Sequence, residues 1–369
     1  MGKQGKGKLR TALANHQARS HQRQQEKQRS EALEHAQKRK MASMGGRPRS
    51  HKPKHVAPFQ KDDSILLVGE GNFSFTLALL SEPHCHPPHQ ILATSFDTEE
   101  EVCAKYPDAR DILAQIRAKA GANAQNILAF GVDAGALEKC SKLAGGPGVS
   151  PRRWSKVWFG FPHVGAGHKD EQRNVLANQL LILRFLVSVA PYLTRGPVPA
   201  YAANEKRKPR HDSDDESGDE VDDETAAFLA SIPEADDERP LTPPARQGSV
   251  LITLRNVPPY TLWNVPMLAR RLRSVVGPIA SSAPALPKHM HAPTVADVDR
   301  VGASYIVWRS FEFHPADWKA YSHRRTVGWI DGVSTSQNED LLRRPNLAPQ
   351  HGKHVGTGEC RTWEVALQT

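Results

Sequence analysis

Four short apolar segments in the first half of the chain each end at a glycine or an aspartate. They cover residues 64–68, 91–96, 126–132 and 156–159. The first segment is apolar without polar alternation, which is typical of a strand buried on both faces of a parallel sheet. Stretches with a helical spacing of apolar residues separate the four segments. This alternation predicts an α/β fold of the Rossmann-like kind, in which helices cover both faces of a mostly parallel sheet.

The second half of the chain continues this pattern after a polar interruption. The apolar spacing predicts a long helix over residues 170–193 and further strands over 249–254, 304–313 and 323–329. Residues 260–276 are predicted to be partly helical. The predicted sheet therefore takes strands from both sides of the interruption.

Charged residues are distributed unevenly along the chain. The net charge is +9, but residues 1–55 contain 15 Lys and Arg against 3 Glu, and residues 205–240 contain 14 acidic against 5 basic residues. Segments of this composition have too few large apolar side chains to form a core. The predicted organisation is a disordered basic tail (1–55), a Rossmann-like domain (56–195 and 248–335), a disordered acidic insertion (196–247) and a poorly ordered C-terminal extension (336–369).

The basic tail has the composition of a segment that binds nucleic acid. Lysine and arginine attract phosphates and displace counterions without reading sequence, and Lys38-Arg39-Lys40 is also typical of a nuclear import patch. A tail that only keeps the protein in solution is the alternative. The acidic insertion allows three interpretations: a substrate for an acidophilic kinase at Ser213 and Ser217, an inert linker, or an intramolecular partner of the basic tail.

Some classes of protein are not expected from this sequence. No stretch reaches the ~18 apolar residues of a membrane helix, and the charged N-terminus lacks the apolar core of a secretory signal. The cysteines, Cys85, Cys103, Cys140 and Cys360, form no C-x-x-C pair. We therefore expect no membrane association, no metal site and no disulfide framework, and a reducing compartment.

The residues that follow the four apolar segments are expected to meet, because the carboxyl ends of parallel strands lie at one edge of a sheet. These are residues 69–72, Asp97, Asp133 and residues 160–163. The glycines at 69 and 71 permit a tight turn and a close approach of a ligand to the backbone. Asp97 suits the hydroxyl groups of a ribose. The combination favours a cofactor that contains a nucleoside, and an ordinary turn is the alternative for the glycines alone.

The first turn departs from the dinucleotide fingerprint Gly-x-Gly-x-x-Gly. Ser74 occupies the third glycine position, and Glu70 lies inside the turn. A carboxylate there repels a pyrophosphate but suits a cation. S-adenosylmethionine carries a sulfonium and an ammonium but no phosphate, so it fits better than a dinucleotide. Asp133 is then a candidate acceptor for the adenine amino group, with a helix N-cap as the alternative.

Several short motifs lie in order along residues 56–195 and 248–330. They are Ile65-Leu66-Leu67-Val68-Gly69-Glu70-Gly71-Asn72-Phe73-Ser74-Phe75, Thr94-Ser95-Phe96-Asp97, Val132-Asp133-Ala134, Phe161-Pro162-His163-Val164-Gly165, Asn178-Gln179-Leu180-Leu181, Pro259-Tyr260-x-x-Trp263-Asn264 and His323-Arg324-Arg325-Thr326. Together they closely resemble the motifs of the Rossmann-like rRNA methyltransferases that methylate N3 of a uridine in large-subunit ribosomal RNA. The resemblance implies a class I S-adenosylmethionine-dependent methyltransferase fold, an rRNA substrate and, in eukaryotes, a nucleolar setting.

The predicted site has three parts. The cofactor-binding residues are Gly69, Glu70, Gly71, Asn72, Phe73, Ser74, Asp97, Val132, Asp133, Ala134 and Phe159. The catalytic residues are Phe161, Pro162 and His163, and the RNA contacts are Arg324, Arg325, Lys38, Arg39 and Lys40. His163 is the candidate base for the N3 proton because a histidine pKa lies near neutrality. The alternatives are that His163 only fixes its loop, and that Asp170 or water takes the proton.

One position departs from the family pattern. Where the family has Asn before the Phe-Pro-His element, this chain has Gly160, which cannot position the nucleophilic nitrogen with a side chain. The predicted function is methylation of a uridine N3 in 25S/28S-type rRNA during ribosome biogenesis, by a monomer that binds pre-ribosomal particles in the nucleus and nucleolus. Two alternatives stay open: a ribosome-assembly factor with impaired catalysis, and a dinucleotide-dependent oxidoreductase.

Overall fold

The computed structural model describes residues 56–144, 151–167, 170–203, 240–326, 328–330, 333–335 and 360–368. Within these residues, seven strands form one sheet in the order β3-β2-β1-β4-β5-β7-β6. The strands are β1 (Ile65–Val68), β2 (Ile91–Thr94), β3 (Leu128–Ala129), β4 (Lys156–Gly160), β5 (Ser249–Arg255), β6 (Tyr305–Phe313) and β7 (Cys360–Leu367). β1 to β5 are mutually parallel, whereas β7 runs antiparallel to both of its neighbours.

Helices connect the strands and cover both faces of the sheet. They are α1 (Ser74–Leu80), α2 (Glu99–Lys105), α3 (Ala109–Ala120), α4 (Ser141–Ala144), α5 (Glu171–Val189), α6 (Ala200–Ala203), α7 (Val265–Arg270), α8 (Leu272–Ser282) and α9 (Val295–Val301). Neighbouring residues of β1 alternate between the two cores: Leu66 packs with the residues of α5 on one face, and Leu67 packs with those of α1 on the other. The predicted Rossmann-like class I fold is confirmed.

The strand order also places the site. β1, β2 and β3 follow each other outward on one side, and β4 and β5 on the other, so the order reverses between β1 and β4. A crevice for a ligand forms outside the carboxyl ends of the strands at such a reversal. The residues after β1 and β4 border that crevice.

The C-terminal extension was predicted to be poorly ordered, and this is wrong for residues 360–367. They form β7, which lies inside the sheet between β5 and β6. Glu364 is a charged residue in the middle of this strand, yet it is fully buried because Lys156 and Arg309 form ion pairs with its carboxylate. From the sequence alone, where these partners are not visible, the charge of Glu364 argues against a central strand.

The bounds of the acidic insertion also need correction. Residues 204–239 lie outside the described residues, as do residues 1–55, but both flanks of 204–239 are folded onto the domain. α6 brings Tyr201 into hydrogen-bond contact with the buried Glu364, and Arg246 forms ion pairs with Asp62 and Asp63. Charged side chains thus anchor both flanks.

Two further elements differ from the prediction. Residues 323–326 and 328–329 are not a strand but a loop held against the sheet edge, where the Tyr106 hydroxyl donates to the Arg325 carbonyl at 2.9 Å. The segment Glu171–Tyr192, which contains α5, is by length and composition long and apolar enough to cross a membrane. Its apolar window is 67% buried inside the fold, as in the core helix of a globular domain. By length and composition alone, the expectation that no stretch could form a membrane helix is therefore wrong for this segment.

Candidate active site

A cavity of about 670 Å³ opens at the carboxyl ends of the strands. This volume lies within the range of small-molecule sites. The cavity brings together every predicted cofactor residue and all three predicted catalytic residues: Gly69, Glu70, Gly71, Asn72, Phe73, Ser74, Asp97, Val132, Asp133, Ala134, Phe159, Phe161, Pro162 and His163. Of the predicted RNA contacts, Arg324 lines the cavity, Arg325 follows it in the chain, and Lys38, Arg39 and Lys40 lie outside the described residues.

The turn after β1 carries a buried carboxylate. Gly69 has φ +72°, and a Cβ atom at this position would lie 2.8 Å from the Phe159 ring, so only glycine fits. Glu70 is 7% exposed, and its Oε2 accepts hydrogen bonds from Thr76 N at 3.1 Å and Thr76 Oγ1 at 2.8 Å. Burial raises the pKa of Glu70 to about 7, although the two bonds from Thr76 oppose this. Among the described residues, no cation pairs with Glu70 at this turn.

The backbone is strained just after β1 and just after β4. Phe73 has φ 62° and Phe161 has φ 51°, which is the left-handed region that bulky residues rarely adopt. Each such residue costs on the order of 1–3 kcal/mol and persists only where its surroundings hold it. Phe73 packs on Phe130 with ring centroids 5.2 Å apart, and Phe161 packs edge-on against His323 at 4.6 Å. Strain of this kind clusters at binding and catalytic sites.

The aspartates after β2 and β3 both line the cavity, and both have protein partners. Asp97 Oδ1 accepts from Lys105 Nζ at 2.6 Å. Asp133 Oδ2 pairs with Arg184 Nη2 at 2.6 Å, and its Oδ1 accepts from Gly135 N at 2.8 Å, which fixes the turn. Each carboxylate has further lone pairs, so these bonds leave room for a ligand hydroxyl or amino group.

Arg184 is a cavity residue that sequence analysis missed. Its side chain, on α5, is 4% exposed, and its Nε also donates to the His291 carbonyl at 2.9 Å. The arginine therefore joins the turn after β3 to the loop that contains Met290, which closes one wall of the cavity. An arginine inside an apolar helix was the available signal, because a charged side chain there needs a buried partner.

Two buried amides on α5 hold the loops after β4 and β5. Asn178 Oδ1 accepts from Val164 N at 2.9 Å, and Gln179 Nε2 donates to the Leu262 carbonyl at 3.3 Å. Both side chains are buried. The Asn-Gln pair of the sequence motif thus fixes the two strand-end loops from behind.

Gly160 is explained by its neighbour Trp158. A Cβ atom at position 160 would lie 2.1 Å from the indole of Trp158, so no side chain fits while that ring stays in place. The indole stacks on Phe75 with centroids 4.0 Å apart and donates to Thr253 Oγ1 at 2.9 Å. Trp158 fills the space that a side chain at 160 would need.

Arg324, a predicted RNA contact, is held by protein side chains. It is 10% exposed at its side chain, pairs with Asp108, and lies 4.8 Å from the centroid of the Trp329 ring. Asn72 Nδ2 donates to the same carboxylate at 3.0 Å. Arg324 therefore joins the loop after β6 to the turn after β1, whereas Arg325 is exposed.

Positive charge surrounds this side of the cavity. Burial, and then the charges of Arg255, Arg324 and Arg325, lower the pKa of His323 to about 4. The Tyr321 hydroxyl lies 3.1 Å from His323 Nδ1. His323 therefore stays neutral at physiological pH, and the arginines supply a field that suits a phosphate-bearing ligand.

The comparisons with known proteins match this site. The sequence profile of the BMT5-like rRNA (uridine-N3-)-methyltransferases matches residues 66–325, from β1 to the loop after β6. That match covers more than half of the chain. The protein belongs to the BMT5-like family. This membership gives no support to the oxidoreductase alternative.

Individual relatives align with part of the chain. The Saccharomyces cerevisiae 25S rRNA (uridine(2634)-N(3))-methyltransferase is 29% identical over 143 residues, which are 35% of this chain and 41% of that protein. An Arabidopsis thaliana protein, At4g26485, is 31% identical over 136 residues, which are 36% of this chain and 59% of that protein. The chain thus spans about half the length of these relatives. A putative methyltransferase from Bacillus halodurans aligns over 85% of this chain and 96% of that chain, with 11% identity and a TM-score of 0.24, which is too low to support an argument.

Proposed function

We propose that this BMT5-like protein transfers a methyl group from S-adenosylmethionine to N3 of a uridine in large-subunit rRNA. The observation that carries the proposal is Glu70, a buried carboxylate in the cavity wall whose charge has no cationic partner among the described residues. A cation bound nearby would stabilise that charge. The family to which the chain belongs gives the proposal its reaction class.

The cavity residues fit this cofactor. Glu70 would provide a negative charge for the sulfonium or the ammonium, and Asp97 would offer lone pairs to ribose hydroxyls. Residues 132–134, which line the same cavity, would hold the adenine. Phe159 closes the floor against Gly69 and packs edge-on against Phe185 at 4.8 Å. When bound, S-adenosylmethionine supplies a methyl group on a cationic sulfur, which leaves as a neutral thioether with the electrons of its carbon–sulfur bond.

The protein's own contribution is to align the target uridine with the methyl group and to enclose both in the cavity. Attack requires the N3 lone pair to lie in line with the carbon–sulfur bond, and alignment of this kind accounts for a large part of enzymatic acceleration. The loop after β4, held by Asn178, positions the uracil ring of the target nucleotide. The N3 proton leaves to water as the carbon–nitrogen bond forms. The target uridine has to leave its stack to enter the cavity.

The RNA and the cellular location are part of the same proposal. Arg325 and the basic residues 1–55 bind phosphates of pre-ribosomal RNA, and such a substrate implies the nucleus and nucleolus. The protein acts as a monomer. A fluorescent fusion of the full chain that stays outside the nucleus would contradict the location without bearing on the chemistry.

The decisive experiment uses 25S rRNA from yeast that lacks the uridine(2634) enzyme, because that RNA holds an unmodified acceptor. The full-length protein is incubated with this RNA and labelled S-adenosylmethionine, and nucleosides are separated by mass spectrometry. We expect label in 3-methyluridine, and its loss in Asp97→Ala at limiting cofactor. Normal cofactor binding with no labelled 3-methyluridine would favour the assembly-factor alternative.

A further inference from the structure

The loop that follows β4 uses most of its backbone donors internally. Phe161 N donates to the Thr253 carbonyl at 2.8 Å, and Val164 N donates to Asn178 Oδ1 at 2.9 Å. Pro162 has no backbone N–H. Gly160 has no side chain, and Trp158 fills the space beside it. A nucleobase that enters the cavity beside this loop therefore meets few free backbone N–H groups.

His163 supplies the missing donor, and its hydrogen bonds show which ring nitrogen carries the proton. Gly165 N donates to His163 Nδ1 at 2.8 Å. Since Nδ1 accepts, the proton of the neutral ring is on Nε2. Burial, and then the charge of Arg325, lower the pKa of His163, so the neutral form predominates at physiological pH. The ring can take a second proton only by giving up the bond from Gly165.

This arrangement differs from the one that a general base requires. A base needs a free lone pair aimed at the proton it removes, whereas the lone pair of His163 is occupied and Nε2–H is a donor. The ring is half-buried in the wall of the cavity that holds Glu70. The predicted role of His163 as the base therefore has no support in this geometry.

The chemistry of the two pyrimidines decides what such a donor recognises. In uracil, N3 lies between the carbonyl groups at positions 2 and 4, and both are acceptors. Cytosine keeps the carbonyl at position 2 but has an amino group at position 4. A donor beside position 4 pairs with uracil and meets an N–H group in cytosine, and a buried donor left without an acceptor costs about 1–3 kcal/mol.

We infer that His163 Nε2–H donates a hydrogen bond to O4 of the target base and thereby selects uracil over cytosine. The inference rests on the proposed function. It makes His163 a recognition residue, which touches the substrate but does not remove its proton. The rigid loop, fixed through Asn178 and Gly165, gives this donor one direction.

The test combines enzyme variants with altered bases. RNA oligonucleotides that span yeast 25S uridine 2634 carry uridine, 4-thiouridine or 2-thiouridine at the target, and kcat/KM is measured for the wild type, His163→Leu and His163→Gln. Sulfur is the weaker acceptor, so the 4-thio substitution should lower the wild-type kcat/KM about 3- to 10-fold. In His163→Leu the uridine rate falls by a similar factor, and the 4-thio substitution causes no further loss.

The remaining arms separate the explanations. The 2-thio substitution should change kcat/KM by the same factor in wild type and His163→Leu. His163→Gln should keep part of the 4-thio effect through its amide N–H. His314→Leu, at a half-buried histidine that does not line the cavity, should behave as wild type. The inference is overturned if the 4-thio substitution lowers kcat/KM by the same factor in wild type and His163→Leu. It is also overturned if His163→Leu changes the effect of the 2-thio substitution. If the wild type methylates none of these RNAs or rRNA itself, the proposed function fails first and this inference with it.

Discussion

Cofactor binding should strengthen as the pH rises toward neutrality, because Glu70 must be ionised to hold a cation. In the free protein, burial raises the pKa of Glu70 to about 7, so much of the carboxyl is protonated below that pH. A bound sulfonium or ammonium favours the carboxylate and expels the proton. Binding is therefore linked to the release of up to one proton in the acidic range.

The size of the effect follows from that pKa. If only the ionised form binds, the apparent dissociation constant is inversely proportional to the fraction of protein in which Glu70 is ionised. For the pKa of about 7, the affinity at pH 5.5 should be about 25-fold weaker than at pH 7.5, or roughly 1.9 kcal/mol. The glutamine side chain of Glu70→Gln cannot ionise. The dissociation constant of this variant should therefore be larger than that of the wild type at pH 7.5 and nearly constant across this pH range.

Isothermal titration calorimetry of S-adenosylmethionine measures both quantities. At each pH, two buffers with different ionisation enthalpies give the number of protons released. Glu100→Gln, an exposed position on α2 outside the cavity, is the matched control and should follow the wild type. A wild-type affinity that does not change between pH 5.5 and 7.5, or a Glu70→Gln protein that keeps the wild-type slope, would refute the reasoning.

The same raised pKa predicts the stability of the free protein. Because the native state holds a proton that the unfolded chain loses above its ordinary pKa of 4.5, this group's contribution to the free energy of unfolding falls as the pH rises from 4.5 through 7. In Glu70→Gln that contribution should be absent. Urea denaturation without cofactor, at several pH values, measures the difference independently of binding.

Four other perturbations test the fold and the RNA contacts. Glu364→Gln leaves Lys156 buried without its counter-charge and should lower the free energy of unfolding by about 3–5 kcal/mol. A loss under ~1 kcal/mol in urea denaturation at pH 7 would contradict that ion pair. Arg325→Ala should reduce the slope of log affinity against log salt by about 1 in fluorescence anisotropy with rRNA, without changing Tm. Arg324→Ala should instead lower Tm, and the opposite pattern would reverse these two roles. Deleting residues 1–55 should weaken RNA binding and its salt slope but leave the calorimetric affinity for cofactor unchanged, and an unaltered slope would argue against a phosphate-binding tail.

Acid should weaken the β7 ion pair in a defined direction. Burial alone would raise the pKa of Glu364, but the charges of Lys156 and Arg309 outweigh it and bring the pKa to about 2. This contribution to stability is complete above the ordinary pKa of 4.5 and is lost as the pH falls through 2. The sign is opposite to that of Glu70, because Glu364 has protein cations beside it and Glu70 has none among the described residues.

The cavity was predictable because its signals are local. Each parallel strand is a short apolar run, and the glycine or carboxylate after it is visible in the sequence without knowledge of any partner. Because parallel strands end at one edge of the sheet, the four side chains were expected to lie close together. In the structure all of them line one cavity: Glu70, Asp97, Asp133 and His163. Their individual roles as ligand contacts remain predictions.

Other features depend on contacts between distant residues. Arg324 and Arg325 look equivalent in sequence, but only Arg324 pairs with Asp108, which leaves its side chain 10% exposed, whereas Arg325 is exposed. Gly160 looks like a lost functional side chain until the Trp158 indole occupies its space. The proton position on His163 depends on the backbone direction of Gly165. No pattern of residue types could have predicted these facts.

The parallel half of this protein is predictable from the amino-acid sequence, because apolar periodicity and strand-end residues specify the fold class and the cavity. In the antiparallel part, β6 was also predictable as a strand over residues 304–313, but β7 became evident only from the folded chain. β7 carries Glu364 in its middle, and a charge there is compatible with a central strand only because Lys156 from β4 and Arg309 from β6 pair with it. Burying a charge costs several kcal/mol unless it is paired, and partners more than 50 residues away along the chain are visible only once the chain is folded.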